Sequence, residues 1–160
     1  MSEKRKLLRH FLAALAYRTQ KALRGMPDGF EQFSPGSGVR TPHQLICHMM
    51  SVLGYARTFF IGGTFPPPKP TDWKNDLNAF HELLEDLGRY LDSDTPLKGT
   101  TEERMLQGPF ADAMTHAGQL AMLRRFAGSP VRSENFIKAD IRSNNLSADQ
   151  PNPIAPDFPE

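Results

Sequence analysis

The apolar residues of this chain recur at helical spacing nearly everywhere before residue 128, and that one periodicity leaves few folds open. A first helix over about 4–24 carries Leu8, Phe11, Leu12, Leu15, Thr19 and Ala22 on one face, and Gly25 and Pro27 stop it. After the glycine-rich loop "PGSGVR", Thr41 is placed to cap a second helix, with Pro42 at its first position and Gln44 completing a capping box. That helix runs to about Phe60, where "IGG" ends it, and "FPPPKP" makes a stiff connector because proline cannot continue a helix. A third helix over about 72–92 buries Leu77, Phe80, Leu84, Leu87 and Leu91. Thr100 and Glu103 suggest a short capped piece, Gly108-Pro109 breaks or restarts it, and the main fourth helix runs from Pro109 to Ala127. The expectation is an all-α four-helix bundle over 1–132, with a connection between the second and third helices long enough for a crossover. Residues 133–160 lose the period; they are expected to form an extended C-terminal tail across the bundle, with Val131, Phe136 and Ile141 as contacts.

Composition narrows the function classes. Nineteen basic against eighteen acidic residues leave a net charge of +1, without a long block of one sign, which argues against nucleic-acid and membrane partners. No apolar run approaches a membrane span, and the basic, helically spaced start reads as a first helix rather than a signal peptide. The single cysteine, Cys47, rules out an intrachain disulfide and suits a reducing cytoplasm.

The histidines separate on the helical wheel. At about 100° per residue, His48 falls in or beside the arc of Leu45, Met49, Val52, Ala56 and Phe59, whereas His43 points away from it. His10 lies opposite the apolar face of the first helix and His81 to the side of the third helix's stripe, so only His48 and His116 are expected to look inward. Cys47, one position from His48, should not share its site. In "GPFADAMTHAGQLAMLRRF" the residues Asp112, His116, Gln119 and Leu123 share a stripe, while Phe110, Met114, Ala117 and Ala121 offer a second contact, to another helix or another subunit. On this second face rests the expectation of a homodimer.

An aspartate and a histidine four apart can simply pair, a contact worth a few tenths of a kcal/mol, about 0.2–0.5. They can also chelate, since positions one turn apart on one side both reach a single ion. With His48 from a second helix they make a two-histidine, one-carboxylate face that leaves coordination positions open. Gln119 is a candidate hydrogen-bonding partner behind the ligands, or a polar residue at the bundle margin. Arg124 could hold a substrate carboxylate, or complement the helix dipole and the acids of the tail. Tyr55 and Trp73 are candidate cleft aromatics, or core residues.

The segments "TPHQLICHMMSVLGYARTFF" and "DAMTHAGQLAMLRRFAGSPV" resemble the DinB-like superfamily, which includes the bacterial bacillithiol- and mycothiol-dependent transferases. The likeness covers about residues 1–132, and its most specific part is the motif of the last helix. It implies a four-helix bundle with three metal-binding positions: His48 matches the ligand of the second helix and His116 the second ligand of the last. Asp112 stands where many members have histidine, a departure that shifts the preference toward harder ions. The resemblance implies a divalent ion, zinc or nickel first and manganese or iron as alternatives. It also implies a small electrophilic substrate and a low-molecular-weight thiol or water as the attacking group, hence a metal-dependent transferase or hydrolase. A non-enzymatic dimer whose ion fastens two helices is the alternative, and an iron oxygenase a third reading.

Overall fold

The computed structural model describes residues 2–93 and 95–154. Helix α1 spans Glu3–Leu23 and begins where the Ser2 side chain accepts from the Arg5 amide. A single 3-10 turn, Phe30–Gln32, lies in the loop that follows. Helix α2 spans Pro42–Ile61 and opens with the capping box read from the sequence: Gln44 N–H donates to Thr41 Oγ1 at 3.2 Å, and Thr41 N–H to Gln44 Oε1 at 2.9 Å. Helix α3, Trp73–Asp92, is capped by Asp72. The one-turn helix α4, Glu102–Met105, runs into a wide π-type turn at Leu106–Phe110 and then into α5, Ala111–Phe126. Regular α-helix therefore starts two residues later than the sequence suggests. Pro109 has no N–H to give, and Gly108 sits at φ −96°, ψ −105°, outside helical values.

The long helices pack with α1 against α3 and α5, and α2 against the same two. Side-chain contacts set their directions. His43 meets Asp76 near the start of α2 and α3, while Arg57 meets Asp86 and Phe60 stacks on Tyr90 near their ends, so these neighbours are parallel. Arg9 pairs with Asp92 and Gln20 with His81, which makes α1 antiparallel to α3. The stacking of Phe11 on Phe110 at one end, and bonds from Arg124 to Ala22 O at the other, make α1 and α5 parallel. The chain thus runs up, down, down, up.

Two parallel neighbours joined in sequence require a connection that returns the length of the bundle, and 62–72 supplies it. The 20 residues of α2 are about 30 Å long at about 1.5 Å per residue. Eleven extended residues reach about 34 Å at about 3.1 Å each, and the prolines keep them extended. The connector is seated by Phe65, whose ring lies where a Cβ on Gly54 would be, 2.2 Å away. With α3, α5 and this strap around it, α2 is buried on most sides: Ile46, Met49, Leu53 and Ala56 are fully inside.

Beyond α5 the described residues form neither helix nor strand and cross the bundle. Tyr17 OH donates to Glu134 Oε1 at 2.7 Å, Leu146 O meets His81 Nδ1 at 2.8 Å, and Arg24 donates to Gln150 O. Glu134, Leu146 and Gln150 are the buried anchors of this segment, whereas Val131, Phe136 and Ile141 are half-buried. Residues 155–160 of the expected tail lie outside the described residues. Among the described residues, no helix is long and apolar enough to cross a membrane.

Candidate metal centre

His48 sits two turns into α2, one turn beyond Gln44 of the capping box, and Asp112 and His116 lie on the first two turns of α5, which runs antiparallel to it. The kink at Gly108 and the π-type turn set where α5 begins, and with it where Asp112 is aimed. One ligand atom from each of the three side chains falls within 4.8 Å of the others. The imidazoles of His48 and His116 meet edge to face at 4.6 Å. His48 Nε2 is 3.9 Å from Asp112 Oδ2, and His116 Nε2 is 3.2 Å from Asp112 Oδ1. Despite that separation His116 Nε2 makes no hydrogen bond and is buried without a partner. An orphaned ring nitrogen in a native interior calls for an explanation.

The other nitrogen of that ring explains what Nε2 is for. His116 Nδ1 lies 2.8 Å from Gln119 Oε1, an oxygen that can only accept, so Nδ1 carries a proton and the ring turns its Nε2 toward His48 and Asp112. Burial, followed by the nearby Arg40 guanidinium and His116, lowers the pKa of His48 against an opposing pull from Asp112. Its imidazole is thereby kept neutral and able to donate a lone pair. The donor set, two imidazole nitrogens and one carboxylate, suits a borderline divalent cation. The side chains of His48 and Asp112 are 30% and 46% exposed, so the trio opens to solvent on that side, while His116 forms its inner wall at 8%.

The helical wheel misplaced two histidines. His43, expected to face away, is buried at 3% exposure because α3 covers that side of α2. Its Nε2 bonds Asp76 Oδ2 at 2.7 Å, and its ring meets Trp73 edge to face. His81, expected beside the core stripe, is buried at 4% between Gln20 and the backbone of Leu146. His10 is exposed as expected, with Ser143 Oγ at 2.8 Å. His43, Cys47 and Asp76 also bring ligand atoms within 4.8 Å of one another, a grouping signalled in sequence by the i,i+4 pair on α2. There the carboxylate is already spent: Asp76 accepts from Thr71 N and Oγ1 as well as from His43. Burial, then the charge of Asp76, pushes the Cys47 thiol up to about 11. It stays a protonated thiol on another side of α2 from His48.

Arg124 is a correction. It is 4% exposed and donates to Ala22 O, Arg24 O, Gly25 O and Ser129 O, tying the end of α5 to the end of α1. It holds carbonyls of the scaffold and lies outside the His48, Asp112 and His116 group. Tyr55 is 56% exposed on α2 and packs against Phe59. The second apolar face of the last helix is used within the chain, since Phe110 and Ala117 are buried and Phe110 stacks on Phe11 of α1. Compared with protein families, with curated proteins and with solved structures, the chain finds no match.

Proposed function

We propose that His48, Asp112 and His116 hold a divalent cation, and that the protein is a metal-dependent thiol transferase or hydrolase of the DinB-like kind acting on a small electrophile. The observation that carries this reading is the buried, unpartnered Nε2 of His116, turned by Gln119 toward the nitrogen of His48 and the carboxylate of Asp112. Zinc or nickel suits the two imidazoles, and the carboxylate keeps manganese or iron as alternatives. When bound, such an ion supplies Lewis acidity, lowering the pKa of a thiol or water beside it. The chain's own residues do the remainder. His48 and His116 present lone pairs, Gln119 holds one ring in place, and the half-exposed Asp112 leaves a side on which substrate enters. Cys47 is buried and protonated, so the attacking thiol is a cosubstrate rather than part of the chain.

Metal analysis of the purified protein tests the site. Stoichiometric divalent metal is expected in the parent and its loss in His48→Ala and Asp112→Ala; unchanged metal in both variants would remove the site altogether. Turnover of a panel of electrophiles with small thiols, on zinc-, nickel- and manganese-loaded protein, tests the chemistry. The second reading, an ion that only fastens helices, is favoured by the origin of the ligands on both α2 and α5. Bound metal with no thiol-dependent or hydrolytic turnover across the panel selects it.

A further inference from the structure

Beside the metal-site residues runs a groove of about 780 Å³ between the loop at 35–40 and the outer face of α5. That is within the range of small-molecule sites, about 300–1,000 Å³. Gln119, itself exposed, lines it and also bonds His116 Nδ1, so the groove touches the residue behind one proposed ligand ring. Three large apolar side chains on its walls are left to solvent: Val39 at 46%, Met122 at 54% and Phe126 at 62%. Arg40 stands on the same wall with its guanidinium making no hydrogen bond or ion pair among the described residues. The capping box begins at the next residue, Thr41, so this cation is presented from a fixed backbone position.

We propose that this groove, on the side of His116 away from the proposed ion, binds a small amphipathic carboxylate, its charged group on Arg40 and its hydrocarbon part on Val39, Met122 and Phe126. The proposal stands on the groove's own residues and is tested apart from the metal-centre reading. A guanidinium matches a carboxylate in a two-pronged, charge-assisted contact. The exposed apolar walls gain by covering an alkyl or aryl body.

Octanoate is the probe, titrated calorimetrically into the zinc-loaded protein with octan-1-ol as the neutral comparison. Binding of octanoate is expected to weaken by about ten-fold or more in Arg40→Gln, the loss of one charge-assisted pair, and by less in Arg40→Lys, which keeps the charge but not the two-pronged geometry. Phe126→Ser should weaken it too, and octan-1-ol should bind the parent no better than octanoate binds Arg40→Gln. Failure of octanoate to bind the parent, or equal binding by Arg40→Gln, overturns the proposal. Loss of zinc from Arg40→Gln overturns it as well, because Arg40 would then belong to the scaffold. Should the parent take up no zinc, the metal reading fails, and the same titrations on metal-free protein still decide the groove.

Discussion

At the scale of single residues, the tautomer of His116 is the decisive detail. Gln119 selects it through one hydrogen bond at 2.8 Å, and such partners behind a ligand usually contribute about 10- to 100-fold in metal affinity. Gln119→Ala should therefore keep the fold and lose about ten-fold in zinc affinity, read by competition with a chromogenic chelator. Unaltered affinity would show that the ring is oriented by packing alone. His81 makes a second case, governed by pH. Burial lowers its pKa below the ordinary 6.5, against a smaller upward pull from Leu146 O. The unfolded chain therefore takes up this proton first on acidification. The stability linked to His81 is complete above about pH 6.5 and is lost as pH falls toward the folded value. Denaturation midpoints measured from pH 8 to pH 5 should fall less steeply in His81→Gln than in the parent; parallel curves would refute the linkage. The sequence paired Asp112 with His116 correctly because four residues on one helix fix a common side. It misjudged His43 and His81 because a wheel drawn for one helix contains nothing of the α3 or tail residues that come to cover them.

At the scale of elements, two joints with different local signals carry different weights. The Thr41 capping box is fully written in its own four residues, and Thr41→Ala should cost about 1 kcal/mol in chemical denaturation. Arg124 has no comparable local signal. It closes four carbonyls from the end of α1 and the turn after α5, so Arg124→Ala leaves buried acceptors without donors. A loss of about 3 kcal/mol is expected, with metal content unchanged; metal lost together with a stable fold would instead put Arg124 in the site. A long cationic side chain in the last turn of a helix reads on its own as a partner of the helix dipole. Only the parallel pairing of α1 with α5 brings those carbonyls under it. The crossover between α2 and α3 was legible for the opposite reason, since its length and prolines lie within one continuous segment.

At the scale of the whole molecule, the candidate site joins the second and the last long helices, so binding an ion and holding the bundle together are coupled. At zinc 100-fold above the dissociation constant, the folded state should gain about 2.7 kcal/mol. Chelator should abolish the gain, and His48→Ala should never show it; equal melting with and without metal in the parent would sink the bridging role. The sequence by itself determined the long helices, the capping box of α2, the strap after α2, and which acid and histidine on α5 share a side; the cap of the short α4 is Thr101, one residue after the Thr100 that the sequence suggested. All of these depend on spacing along one stretch of chain, which backbone geometry converts directly into direction. The tertiary structure alone decided that His48 meets that pair, that His43 and His81 are buried, that Arg124 serves the scaffold, and that Arg40 shares a groove with Met122 and Phe126. Each of these depends on which helix lies beside which and in what direction, and that is set by the packing of all the apolar faces at once.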